Sequence, residues 1–137
     1  MKELIIPDLV KNNRCEIVFC VKYKRKIFKD ARLAECVEMA FRAAEEEHGT
    51  VKGKVQFVVD KIEVFDSYVR LEINFDPKFG AYNAVTKLKR TAVRRMHEFD
   101  PSLHSRLPSI WTHNTYFKTI GEQSSDEDIQ AYVDSQN

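Results

Sequence analysis

From Arg14 to Tyr23 the side chains alternate, with Cys15, Ile17, Phe19 and Val21 on one side and mostly more polar partners on the other. A period of two predicts a strand with one buried face. Beyond it the spacing widens to three and four. Leu33, Val37, Ala40, Phe41 and Ala44 form the stripe of an amphipathic helix, opened by Asp30 as N-cap and stopped after His48 at Gly49. Two β-branched and aromatic runs, Val55 to Val64 and Val69 to Phe75, flank Phe65-Asp66-Ser67 and predict a hairpin. A second helical stripe, Val85, Leu88, Ala92, Met96 and Phe99, predicts a helix from about Gly80 to Phe99, ended by Pro101. Residues 101–109 contain two prolines and predict a loop, and Ile110 to Ile120 predicts a last strand closed by Gly121. Ser124-x-x-Glu127 is a capping box before a terminal helix that places Ile129 and Val133 on one face and Asp128, Tyr132 and Gln136 on another.

The order β, α, β, β, α, β, α predicts an α+β fold: a ferredoxin-like antiparallel sheet with helices packed on one face and an added C-terminal helix. At 137 residues the expectation is one domain over residues 1–137, large enough to need no metal or disulfide staple. Cys15 and Cys20 leave opposite faces of their strand, and three cysteines is an odd number, so a reduced, cytoplasmic setting is expected. The chain offers neither an apolar run of membrane-spanning length nor a Gly-rich phosphate loop, and its Cys and His spacings match no zinc motif. Membrane and nucleotide partners are therefore not expected.

A net charge of +1, from 22 Lys and Arg against 21 Asp and Glu, argues by itself against nucleic acid. Position along the chain changes that picture. Lys22, Lys24, Arg25, Lys26 and Lys29 fall in eight residues, and Lys87, Arg90 and Arg94 share the polar face of the second helix with Lys89 and Arg95 on its flanks. These are the candidate phosphate-binding surfaces. Tyr23 and Phe28 beside the first cluster are candidates for stacking on unpaired bases, with burial the competing reading for Phe28. The Glu45-Glu46-Glu47 run reads as a solvated helix end, and the terminal helix carries acids and no base.

Four stretches, taken together, resemble the single-tyrosine transposases of the insertion sequence 200/605 family, members of the HUH endonuclease superfamily. They are Ile17 to Lys26 (IVFCVKYKRK), Asp66 to Ile73 (DSYVRLEI), the helix around Lys87 to Arg90 (KLKR), and Ile110 to Gly121 (IWTHNTYFKTIG) leading to Ala131 to Gln136 (AYVDSQ). The likeness spans residues 14 to 136 in the family's order. It implies a homodimer that binds a single-stranded DNA hairpin and cuts and rejoins DNA through a covalent phosphotyrosine, with Mg or Mn polarising the phosphate. Tyr132 matches the nucleophile and Gln136 the polar metal ligand one helical turn later, and the family dimer implies that this helix acts in trans.

The departure from the family lies at its His-x-His motif, where this chain has Tyr68-Val-Arg70. Tyr68, Arg70 and Glu72 share one strand face. Arginine is permanently charged and offers no lone pair, so Arg70 cannot be a ligand, and neutral tyrosine is a poor substitute for imidazole. No bound metal is expected. An oxygen-ligand set of Glu72, Asp66 and Gln136 is the alternative for an active enzyme. Arg70 has two further readings: a grip on a DNA phosphate beside Tyr68 stacked on a base, or an ion pair with Glu72 or Glu63. His48, His97, His104 and His113 read as structural or solvated. The leading expectation is a transposase-family, hairpin-binding protein impaired in catalysis. The alternatives are an active transposase with oxygen ligands and a ferredoxin-like dimeric regulatory module without DNA binding.

Overall fold

The computed structural model describes residues 14–119 and 126–136. Its centre is an antiparallel four-stranded sheet in the order β4-β5-β1-β6, built from β1 (Arg14–Cys20), β4 (Phe57–Val64), β5 (Tyr68–Phe75) and β6 (Tyr116–Thr119). A short hairpin of β2 (Thr50–Val51) and β3 (Lys54–Val55) precedes β4. Helices α1 (Ala31–His48) and α2 (Ala81–Phe99) pack on one face of the sheet, α3 (Pro101–Arg106) follows α2, and α4 (Asp126–Ser135) is the terminal helix. The α+β class and the order of the main elements are those predicted.

The alternation in β1 has the expected phase but buries more than one face. Cys15, Ile17 and Phe19 enter the main core with Phe41, Leu71, Ile73, Leu88 and Met96. Val18 and Cys20, on the reverse side, meet Ile129 and Val133 of α4. A central strand has neighbours on both edges and layers on both faces, so its reverse side is as dry as its front. The three cysteines are free thiols.

Several boundaries differ from the sequence reading. Val55 belongs to the small hairpin rather than to the long strand, because the turn at Lys52 and Gly53, both at positive φ, folds 50–55 back on itself. Pro101 ends α2 and also opens α3: Asp100 accepts from Ser102 N at 3.1 Å, and proline suits the first helical position because its missing N–H has no helical partner to lose. The expected loop at 101–109 is therefore largely a helix that buries Leu103. Ile110 and Trp111 do not begin a strand. Both sink into the main core, and successive residues of a pleated strand cannot point to the same side. Only a single bridge pairs Trp111 with Val21 before β6 starts at Tyr116. Phe99, placed on the core stripe, is 50 % exposed; Thr91 is buried in the helix instead. The expected strand end at Gly121 and the capping residue Ser124 lie outside the described residues.

The acidic run at the end of α1 is not merely solvated. Glu45 accepts from Val59 N while Arg42 donates to Val59 O at 2.6 Å, so α1 side chains cover the backbone beside the β4 bulge. This also blunts an edge strand. Asp30 caps α1 as predicted, accepting from Arg32 N at 2.9 Å.

Gly49 closes α1, but in the right-handed region at φ −72°, so its need is spatial rather than conformational. A Cβ there would overlap the carbonyl of Glu45 and stand 2.9 Å from Phe57 O. Gly49→Ala is expected to destabilise the fold by about 1–3 kcal/mol, the usual range for overpacking, measured by urea unfolding. An unchanged midpoint would mean that the α1–β4 junction relaxes freely.

Candidate functional site

The sheet face turned away from α1 and α2 carries the positions that the sequence marked. Antiparallel register sets Cys20 opposite Tyr68, Val18 opposite Arg70 and Glu16 opposite Glu72, with Tyr116 and Lys118 of β6 beyond Val18 and Glu16. On the other flank Glu63 of β4 stands opposite Arg70. The face divides into a polar half and an apolar half.

In the polar half, Arg70 Nε donates to Glu16 Oε1 at 2.8 Å and its Nη1 lies 3.7 Å from Glu63 Oε1. Glu16 is wholly inaccessible, and the Arg70 side chain is 12 % exposed. Arg14 approaches Glu72 at 3.7 Å, and Asn74 donates to Asp60, whose carboxyl is pushed up by burial. The ion pair anticipated with Glu63 is present, but the principal partner is Glu16, which the sequence reading missed. An acid in the middle of a run as apolar as Cys15 to Val21 was the available signal, since a buried carboxylate needs a paired cation.

In the apolar half, Tyr68, Tyr116 and Tyr132 pack against Val18, Cys20, Ile129 and Val133. Tyr116 and Tyr132 have ring centroids 5.1 Å apart, and Tyr68 stacks on Phe65 at 4.5 Å. The chain therefore seats Tyr132 on the face that bears Tyr68 and Arg70. Among the described residues no group hydrogen-bonds the buried Tyr132 hydroxyl within normal geometry. Burial, and secondarily Cys20, push its pKa up to about 12, against a smaller lowering influence of the Tyr116 backbone. A neutral phenol so placed is a weaker nucleophile than a free one.

A phenol held neutral is also protonated in the fold after it has begun to ionise in the unfolded chain. Its stabilising share is full below about pH 10 and is lost as pH rises toward 12. Cys20 and Cys15, pushed up to about 11 and about 12 by burial, act in the same direction. Tyr132→Phe is expected to flatten part of the alkaline decline in stability, read from melting temperatures between pH 9 and 12. Parallel curves for the two proteins would contradict a buried hydroxyl.

The donors do not suit a divalent cation. Arg70 is a cation, Glu72 faces Arg14, and Asp66 lies in the exposed turn between β4 and β5. Gln136 falls just past α4, where its side-chain amide donates to Ser135 Oγ at 3.3 Å. Among the described residues no three His, Cys, Asp or Glu side chains are grouped to hold a metal ion. The histidines do not alter this: His97 contacts Leu107 O at 3.2 Å and His104 edge-on, His48 lies 3.7 Å from Glu47, and His113 is exposed.

The basic residues sort into engaged and available ones. Arg94 and Arg95 both grip Glu47, at 2.9 and 2.6 Å, and hold its carboxyl below the usual range, so Arg94, expected as a phosphate ligand, is paired with an acid here. Lys89 is half-buried, 3.3 Å from Thr112 O and 5.5 Å from the Phe19 ring centroid, and burial lowers its pKa. Lys87 is half-buried and Arg90 exposed, and neither makes an ion pair among the described residues. Lys24 Nζ donates to Asp134 O at 2.8 Å, where a cation complements the end of α4. Lys22 is half-buried, while Arg25 and Lys26 are exposed. The segment 110–112 ties this loop to α2, since Ile110 O accepts from Lys22 N at 2.8 Å and Thr112 O from Lys89.

Comparison with known proteins agrees with this architecture. A protein of Deinococcus radiodurans R1 assigned as a transposase superposes with a TM-score of 0.76 over 90 % of each chain at 21 % identity. A REP-associated tyrosine transposase bound to a REP hairpin matches with a TM-score of 0.56 and 11 % identity, over 98 % of this chain and 69 % of the other. At these identities the likeness is one of fold. No curated protein matches. Among the described residues, no helix is long and apolar enough to cross a membrane. The family described as "Transposase IS200 like" matches residues 9–136, nearly the whole chain, and the protein belongs to that family.

Proposed function

We propose that this family member binds single-stranded or hairpin DNA and holds it without cutting it. The observation that carries the reading is the buried ion pair between Glu16 and Arg70; the sequence resemblance matches Arg70, not Glu16, to one of the family's His-x-His positions. A guanidinium committed to a buried carboxylate neither ligates a cation nor reaches out to a phosphate, so the phosphate-gripping role considered for Arg70 is set aside. Lys22, Arg25 and Lys26 on the loop after β1, with Lys87 and Arg90 on α2, supply the phosphate contacts. Tyr132, neutral and enclosed, serves packing between α4 and the sheet. No Mg or Mn is needed for this role, and the homodimer implied by the family is retained as its assembly.

The related REP-associated protein is bound to a REP hairpin, which makes a hairpin the first ligand to try. Binding of a short hairpin is expected to exceed that of a blunt duplex of equal length. Incubation with Mg or Mn and an end-labelled hairpin is expected to yield no covalent protein–DNA adduct resistant to denaturant. An adduct formed by the wild type and absent in Tyr132→Phe would establish an active enzyme instead. Failure to bind any DNA at low salt would favour the regulatory-module reading.

A further inference from the structure

We infer that Tyr23 is a stacking platform for an unpaired base of single-stranded DNA, held outward by a loop whose ends are fixed to the rest of the fold. This rests on the DNA-binding reading above and specifies how that surface distinguishes single strands from duplex. Tyr23 and Lys24 both lie in the left-handed region, at φ 61° and 53°. Two consecutive non-glycine residues in that region are disfavoured by contact between Cβ and backbone and persist only where the surroundings hold them.

The surroundings here do so. Val21 N donates to Ser67 O at 2.9 Å, Lys22 N to Ile110 O at 2.8 Å and Phe28 N to Asp66 O at 3.0 Å, fixing both ends of the loop. Inside it, Lys24 N reaches Val21 O and Arg25 N reaches Lys22 O, at 3.2 and 3.3 Å, and the Lys24 side chain is tied to α4. The two aromatic residues of the segment then part company. Phe28 is buried against Trp111, with centroids 6.1 Å apart, whereas Tyr23 is left 69 % exposed.

The exposed ring sits in a basic stretch of the chain. The Arg25 guanidinium lies 5.8 Å from its centroid, and Lys24, Lys26 and Lys22 adjoin it in the chain. Tyr82 is still more exposed, but the backbone that carries it, at the start of α2, is ordinary helix. Backbone strain, an outward aromatic ring and surrounding positive charge together match an anionic ligand with an accessible π-face. Single-stranded DNA has both features, whereas a duplex hides its base faces and an acidic peptide offers charge alone.

The test compares wild type, Tyr23→Phe and Tyr23→Gly on a hairpin with 2-aminopurine in its loop, on a blunt duplex of the same stem and on the matching RNA hairpin. Glycine accepts φ 61° without strain, so the Tyr23→Gly protein is expected to fold at least as stably, monitored by emission of the single tryptophan, Trp111. It is expected to bind the DNA hairpin roughly ten- to a hundredfold more weakly, with duplex binding and salt slope unchanged and with loss of the 2-aminopurine quenching. Tyr23→Phe retains both affinity and quenching. Equal losses on hairpin and duplex, no loss at all, a change of oligomeric state in Tyr23→Gly, or tighter binding of the RNA hairpin would overturn the inference. Absence of hairpin binding by the wild type would instead overturn the DNA-binding reading on which it rests.

Discussion

Replacing Arg70 with methionine is expected to lower the stability of this protein by about 3–5 kcal/mol, the range for removing one member of a buried ion pair. Glu16 has no access to solvent, and Arg70 gives it a 2.8 Å hydrogen bond from Nε. Without that guanidinium the carboxylate either stays charged in a low-dielectric layer or takes up a proton, and both cost free energy. The pair itself is not the source of the loss. Glu16→Gln combined with Arg70→Met is expected to recover most of it, because the double variant removes the inaccessible carboxylate together with its cation. Urea unfolding of the two single variants and the double variant forms a cycle; a loss below about 1 kcal/mol for Arg70→Met would mean that water reaches Glu16.

The same contact governs any attempt to introduce metal ligands on this face. Tyr68→His with Arg70→His introduces two imidazoles on this face but removes the guanidinium that donates to Glu16. An introduced imidazole beside a buried carboxylate has its pKa raised in the fold, so it stabilises at low pH and loses that contribution as pH rises through the raised value. The double variant is therefore expected to be more stable, relative to wild type, near pH 5.5 than near pH 8.

Hairpin binding is expected to weaken roughly a hundredfold or more between 50 and 200 mM salt. Lys22, Arg25, Lys26, Lys87 and Arg90 amount to about five phosphate contacts, and each releases most of one counterion, giving a logarithmic slope of about −3.5 to −4.5. Arg90→Ala or Lys26→Ala should each reduce that slope by somewhat less than one. Arg94→Ala and Arg95→Ala should leave it unchanged, since both guanidinium groups are held by Glu47, and should cost little stability because those pairs are exposed. Filter binding or anisotropy across the salt series decides it. If Arg94→Ala flattens the slope as much as Arg90→Ala does, DNA displaces Glu47 and the phosphate surface includes Arg94.

A period of two in β1 and β5, and of three to four in α1 and α2, depends on each segment's own side chains, and so the element order and the sheet-with-helices class were legible along the chain. Chemistry that turns on residue type was equally legible. That Arg70 cannot ligate a cation, and that neutral Tyr68 is a poor ligand, follows from residue type and needs no coordinates. Less legible were Ile110 and Trp111, whose β-type composition suggested strand although both enter one core, because composition reports side-chain preference rather than direction.

What the sequence by itself determined about this protein is therefore its α+β order and its family. The tertiary structure alone decided which charges are spent. Glu16 and Arg70 are 54 residues apart, Arg94 and Glu47 are 47 apart, and Lys24 and Asp134 are 110 apart. Periodicity assigns a residue to a face of its own element, but the partner across that face depends on which strand or helix comes to lie beside it and in what register. That arrangement is set by packing of the whole core, and it separates a buried arginine from one available to DNA.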